Sequence, residues 1–299
     1  PAQQRHRLKA RHMNRNEIKA VVKAAGGSTL TRESRSANLT ATANDLRLGL
    51  NIQIKSFSGL RSQHLQSLVT LWKTDGQSTR TIQNKLAHLR AALRGVGREK
   101  FAADPRNSNA ALGASGGSRS GTHTIPSEKT LEERISSLPE PFKAGARLQQ
   151  ALGLRAQEAV QSNQSLRSWE KQIQAGRPVK VLHGTKGGRP RDVSLLGQAS
   201  KDRALAAVRE AIRVADKQDG KLIPSTSLEG ANRAYQRAMN GVGFKGSEAS
   251  HSLRYQFARE QFAKYLEALG DKKEALAALS MDLGHGDGRG RYCEQVYLR

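Results

Sequence analysis

The chain has 299 residues, of which 50 are Lys or Arg and 26 are Asp or Glu, a formal charge of +24 at neutral pH. A hydrophobic fraction of 36% is too high for a disordered chain, and no apolar run reaches the roughly 18–20 residues of a membrane span. The basic start lacks the apolar stretch of a signal peptide, and a single cysteine, Cys293, excludes a disulfide framework and a thiolate-only metal cage. The length suits two domains, and a reducing cytoplasm fits the cysteine usage. The charge excess points to a polyanionic partner. With aromatics at 4%, too few for base-stacking platforms, duplex DNA held by its phosphates is the expected partner.

In chain order, residues 1–23 carry Arg5, Arg7, Lys9, Arg11, Arg15, Lys19 and Lys23 with little apolar material between them. They read either as a frayed, solvated terminus or as a basic arm along DNA. From Leu39 to Arg98 the pattern is helical. In TDGQSTRTIQNKLAHLRAAL, Ser78 is a good N-cap, and Ile82, Leu86, Leu89 and Leu93 form one apolar stripe. Arg80, Asn84 and His88 then point outward as candidate DNA contacts, although exposed polar residues on such a helix are often only solvated. Residues 104–126 are rich in Gly, Ser and Asn without periodicity and read as a flexible linker. As a coil, 107–124 spans about 21–25 Å, enough to let two basic domains grip a duplex.

Beyond the linker, residues 129–152 read as helices broken near Pro139 and Pro141. Two β-favouring runs, Val179–Leu182 and Asp192–Leu195, flank a Gly-Gly turn and predict a hairpin. Helical patterns follow at 198–217, 228–240, 250–269 and 272–283. Gly284, Gly286, Gly288 and Gly290 then interrupt the chain before a short final helix near Tyr292. The expected class is mainly α, with a helical N-terminal domain and a mixed α+β C-terminal domain holding a small antiparallel sheet.

The familiar phosphate-loop, zinc-protease, CxxC and GxSxG signatures are absent, and carboxylates are too scattered for a two-metal centre. Phosphate chemistry would therefore rest on cations and a side-chain nucleophile, without metal or cofactor. Arg155 in LGLRAQEA has Glu158 three residues on, a spacing that also suits an ordinary ion pair. Lys186 stands at the hairpin tip, where basic residues are commonly idle. His251 and Arg254 in SHSLRYQFA share a face behind Ser250, a possible cap. His285 in DLGHGDG lies between glycines, where it could equally end a helix. Tyr292 and Tyr297 are the last aromatics.

The order of these pieces carries more than any one of them. GLRxxE, TKGG with a following basic strand, H-x-L-R, LGH and a late tyrosine resemble the tyrosine recombinases, the phage-type integrases, across 126–299. The helical region before the linker is similar to that family's core-binding domain. The resemblance implies a basic arm over 1–23, a core-binding DNA-binding domain over 24–103, the linker over 104–126 and a catalytic domain over 127–299. It implies a site-specific recombinase that cuts and rejoins duplex DNA through a 3′-phosphotyrosyl intermediate, needing neither metal nor ATP, and that integrates or excises a mobile element through a Holliday junction. Arg155 and Arg254 would hold the phosphate oxygens, Lys186 would protonate the departing 5′-oxygen, and His251 and His285 would donate hydrogen bonds to the phosphate. Glu158 would orient its neighbours.

The family usually places its tyrosine nine residues after the LGH histidine, and position 294 here is Glu. Tyr297 is favoured because QVYL resembles the family's apolar-flanked tyrosine and GDGRGR resembles a loop insertion; Tyr292 is the alternative nucleophile. The implied partners are an attachment-site duplex, a homo-tetramer on DNA and accessory DNA-bending proteins, with no membrane. Relatives often continue past the tyrosine with a helix that docks on a neighbouring subunit, whereas this sequence stops two residues after Tyr297, so that mode of tetramer assembly is left open. The implied setting is a bacterial cytoplasm, at the nucleoid when DNA is bound. Two other readings share the charge: an architectural DNA-binding protein that has lost the chemistry, and a relaxase like the type IB topoisomerases.

Overall fold

A computed structural model describes residues 13–118 and 120–298, and the chain divides into two compact units, 1–118 and 119–299. Arg5, Arg7, Lys9 and Arg11 of the predicted arm lie outside the described residues.

The first unit is all helical: α1 (Arg15–Ala24), α2 (Thr29–Asn44) continued by a π-turn (Asp45–Gly49), α3 (Ser62–Thr74), α4 (Thr79–Gly95) and α5 (Glu99–Ala103). The predicted basic arm is corrected from residue 13 onward. Asn14 Oδ1 accepts from the backbone N–H groups of Asn16 and Glu17, both at 2.9 Å, and so starts a helix. Ile18, Val21 and Val22 then form a stripe that is buried in the core. The α4 stripe is placed as its spacing predicts, with Ser78 Oγ accepting from Thr81 N at 3.2 Å and Ile82, Leu86, Leu89 and Leu93 all buried. The helical pattern from Leu39 to Arg98 is interrupted, however. Residues 50–61 form an irregular loop that buries Phe57 and Leu60.

The linker expectation also changes. Arg90 donates to the Asn107 carbonyl at 2.7 Å and to Asn109 Oδ1 at 2.8 Å, and Gln83 Nε2 donates to the carbonyls of Ala114 and Gly116 at 2.9 and 2.7 Å. Leu112 and Ala114 are buried in the core of the first unit. Two side chains of α4 thus satisfy backbone acceptors that a coil would leave to water, and 105–116 is packed rather than flexible.

The second unit contains α6 (Glu128–Ser136), α7 (Glu140–Leu152), α8 (Ala156–Val160), α9 (Leu166–Gln174), strands β1 (Val179–Val181) and β2 (Arg191–Val193), α10 (Gln198–Asp216), α11 (Leu228–Gly241), α12 (His251–Leu269), α13 (Lys272–Asp282) and α14 (Gly290–Tyr297). The hairpin is antiparallel, with Val179 opposite Val193 and Val181 opposite Arg191. Its second strand starts one residue earlier than the sequence pattern predicts. Helix α8 starts just after the Gly153 break, where the LGLRAQEA pattern predicts a new helix, whereas α9 lies outside the predicted elements, although Leu166, Trp169 and Ile173 give it a plain buried stripe. Helix α12 runs through the interior and buries Leu253, Arg254, Tyr255, Phe257, Ala258, Gln261 and Tyr265. Among the described residues no helix is long and apolar enough to cross a membrane.

A packed 105–116 segment makes Leu112→Ala costly. It should remove about 2–5 kcal/mol from the first unit in a denaturant titration, the usual range for a buried Leu. An unchanged midpoint would restore the coil reading.

Candidate active site

The site lies wholly in the second unit and is built where three turns meet. Helix α7 ends at Gly153, whose φ of +57° and close approach to the Phe257 ring leave no room for a side chain; a Cβ there would sit 2.3 Å from the ring. The turn delivers Arg155 to the N-cap of α8. Glu158, fully buried, accepts from Arg155 twice: from its backbone N–H at 2.8 Å and from Nη1 at 2.6 Å. Glu158 thus caps the backbone at the start of α8 and forms an ion pair with the Arg155 guanidinium. Arg155 Nη2 also donates to the Leu283 carbonyl at 3.2 Å.

The first turn of α12 supplies His251 and Arg254. Ser250, the predicted cap, makes no side-chain capping bond. Arg254 is fully buried, donating to the carbonyls of Gly153 and Leu283, with its Nε 3.4 Å from Tyr297 Oη. After α13, Gly284 turns the chain at φ +64° and presents His285, whose Nε2 is 3.0 Å from Tyr297 Oη. Tyr297 is 2% exposed and its ring also lies 4.8 Å from that of Tyr255 and 6.2 Å from that of His251.

Helical phase explains the glutamate at position 294. Within α14, Cys293 and Tyr297 share the buried face, while Glu294 pairs with Lys272 at 2.6 Å. Tyr292 is 37% exposed, with its ring 4.9 Å from His285. The structure thus brings Arg155, Glu158, His251, Arg254, His285 and Tyr297 into one cluster, with Tyr292 at its edge. Lys186 stands apart on the exposed hairpin tip, near enough for its charge to weigh on His285. In the first unit Arg80 and Asn84 are exposed on α4, and half-buried His88 lies 3.3 Å from Ser34 Oγ.

Three members of the cluster were not anticipated. Buried Arg191, on β2, donates to Glu158 Oε2 at 2.8 Å. His123 and Tyr255 complete the aromatic wall around His251 at 5.4 and 5.6 Å. His123 comes from the end of the predicted linker, where Gly121 N donates to Gln295 O at 3.1 Å and Thr124 N to Ser247 O at 2.9 Å. These residues form part of the site wall. Inward strand alternation could have flagged Arg191; nothing in THT flags His123.

Electrostatics follow from crowding. Burial pushes the Glu158 carboxyl up, but Arg191, with Arg254 and Arg155, more than reverses this and holds it at about 2. Burial, reinforced by Arg254, lowers His251 and His285 to about 3. Both imidazoles are therefore neutral at physiological pH, each with one donor and one acceptor nitrogen.

These shifts set an acid limb of stability. His251 and His285 bind protons near pH 6.5 when unfolded but only near pH 3 when folded, and Glu158 shifts from 4.5 to about 2. Stability from all three is fully present above pH 6.5 and is lost as pH falls, first through the histidines. The raised carboxyl of Asp282, caused by burial, opposes this loss around its own range. Thermal melts should be flat from pH 7 to 8 and decline below 6.5. His251→Gln with His285→Gln should flatten the decline between 6.5 and 4.5; an unchanged decline would assign it to other groups.

Two family models match the chain: one described as Integrase over residues 113–260, and one described as Phage integrase, N-terminal, over residues 10–102. Together they account for most of the sequence; His285 and Tyr297 lie beyond the matched region. No curated protein matches in sequence. Among solved structures, the chain is similar to a lambda integrase tetramer bound to a Holliday junction, with a TM-score of 0.57 and 15% identity over 98% of this chain and 80% of that one. It is also similar to the Tn1549 transposon integrase in complex with transposon right end DNA, with a TM-score of 0.50 and 14% identity over 92% of this chain and 93% of that one. At such identities the likeness concerns the fold. With both family models and the fold in agreement, the chain belongs to the phage-type integrases, the tyrosine recombinase family.

Proposed function

We propose that this protein is a site-specific recombinase of duplex DNA, acting for a mobile element, whose nucleophile is Tyr297. The observation that carries the reading is the environment of one oxygen: Tyr297 Oη lies 3.0 Å from a neutral imidazole and 3.4 Å from a buried guanidinium. A phenol is a weak nucleophile until a neighbour takes its proton, so such neighbours are what attack requires.

In the proposed step Tyr297 Oη bonds to the scissile phosphorus as the bond to the 5′-oxygen breaks. The phenolic proton passes to His285 Nε2. Arg254 and Arg155 add to the burial that keeps His285 neutral in the free protein, and a bound phosphodiester would offset their part, so DNA binding returns some basicity to the imidazole. Arg155 and Arg254 stabilise the charge on the non-bridging oxygens with the donors their internal bonds leave over, and His251 adds one more donor. Lys186, carried by the hairpin, gives its proton to the departing 5′-oxygen. One phosphodiester replaces another, so the step reverses on a second 5′-hydroxyl without ATP or a metal. Exposed Arg80 and Asn84 of the first unit support a role in gripping the duplex. In this reading the protein assembles as a tetramer across two duplexes.

The test uses nicked duplexes with a randomised central window, incubated in chelator and captured as covalent adducts under denaturing conditions. The wild type should select a defined sequence. Tyr297→Phe should form no adduct, and Tyr292→Phe should still form one; the reverse pattern would move the nucleophile. Lys186→Ala should slow cleavage about 10²–10⁴-fold, the range of general-acid catalysis, and a sulfur replacing the bridging 5′-oxygen should restore much of that rate. Supercoil relaxation without strand exchange would favour a relaxase, binding without any adduct an architectural protein, and strict magnesium dependence would sink the mechanism.

A further inference from the structure

We infer that Arg191 is a positioning residue for the phosphate-binding arginines, acting through Glu158 and the Gly153 carbonyl. The inference rests on the cleavage reading above and adds to it a group that does not touch the reacting atoms.

Arg191 occupies an inward position on β2, opposite Val181 and two residues from buried Val193, where an aliphatic side chain would suit the strand. A guanidinium there is expensive to desolvate unless every donor is used. Its donors reach three separate segments: Glu158 Oε2 at 2.8 Å and Oε1 at 3.4 Å, the Gly153 carbonyl at 3.2 Å, and the Asp282 carbonyl. Gly284 makes room for it, since a Cβ there would come within 2.7 Å of Arg191 Cδ.

Two consequences bear on the phosphate site. Arg191 takes up part of the Glu158 charge, so that Arg155 is not its sole close partner and keeps net charge for an incoming anion. Arg191 also shares the Gly153 carbonyl with Arg254 and fixes the turn that presents Leu283 O to both Arg155 and Arg254. Loss of Arg191 would leave a buried carboxylate competing with the phosphate for Arg155. A simple structural strut would have no such specific dependence on Glu158.

The experiment measures single-turnover cleavage of the nicked duplex recovered with the wild type, alongside DNA affinity and thermal melting. Arg191→Met should lower the cleavage rate about 10–100-fold, the usual cost of removing a group that orients a ligating residue, with affinity unchanged. Arg191→Met combined with Glu158→Gln should recover part of the rate, because the unbalanced carboxylate is gone; this pair also carries the comparison if the single variant does not fold. The 5′-sulfur substrate should rescue Lys186→Ala but not Arg191→Met, because the defect lies in charge stabilisation rather than in leaving-group protonation. A folded Arg191→Met that cleaves at the wild-type rate, a loss matched by lost affinity, no recovery with Glu158→Gln, or rescue by sulfur would each overturn the assignment. A wild type that forms no adduct with any duplex would instead fail the cleavage reading, and the role of Arg191 with it.

Discussion

Three guanidinium groups held around one carboxylate are the constraint on which the catalytic unit is built. Arg155, Arg191 and Arg254 would repel one another in a dry interior, and Glu158 is the carboxylate that joins two of them directly. The rest of the compensation comes from backbone. Gly153 O accepts from Arg191 and Arg254, and Leu283 O accepts from Arg155 and Arg254. Donors and acceptors close into a ring that runs Arg155, Glu158, Arg191, Gly153, Arg254, Leu283. A carbonyl can serve only if its turn points inward, which is why glycines with positive φ stand at 153 and 284. The ring leaves two positive charges uncancelled. That residue of charge is a defect in folding terms and, in the proposed reaction, the binding site.

The same field adds to burial in setting the state of the histidines. A buried imidazole beside Arg254 and Arg155 has little reason to take a proton, and both His251 and His285 remain neutral. A neutral ring can accept the phenolic proton that a charged one could not. The site is thus a set of fixed cations with neutral imidazoles between them, and in the proposed reaction a bound phosphodiester supplies the anion it lacks. Such a design asks for rigidity, and the wall of Tyr255, His123 and the 121–124 segment supplies it around the tyrosine.

What could be read from the sequence follows from how local each signal is. The α4 stripe and its Ser78 cap depend on near neighbours alone and are placed as expected. So do the helix pair over 128–152 and the long helices α10 to α13. Apart from Lys186 on the hairpin tip, the motif residues of the second unit come together in one cluster, because Arg155, His251, Arg254 and His285 sit at helix ends and turns that the fold brings against the buried face of α14. The failures are of two kinds. Segments such as 105–116 and 120–124 look like coil because their order comes from distant partners, the donors Arg90 and Gln83 in one case and the acceptor carbonyls of Ser247 and Gln295 in the other. Arg191 was lost to register: starting the strand at Asp192 leaves it in the turn, and a single residue reverses which side chains face inward. For the tyrosines, four spaced glycines hide where α14 begins, so the helical phase that turns 293 and 297 inward cannot be counted from His285.

The charge of +24 looks different once burial is known. Among the described residues the buried arginines are Arg35, Arg191 and Arg254, and Arg35 is tied to Gly26 O within the first unit. Nearly all the remaining excess is at or near the surface, where it is screened within about 8–10 Å at ordinary salt. The two buried arginines of the second unit lie outside that regime, because water and ions do not reach them. One sequence therefore carries two electrostatic systems with different physics. The exposed one is long in reach, weak per charge and sensitive to salt, which suits holding any duplex. The buried one is short in reach and fixed in geometry, which suits a single phosphate at the moment its charge rises. Composition reports only the first; in the proposed function, the ring around Glu158 is what distinguishes a DNA-cleaving protein from one that is merely basic.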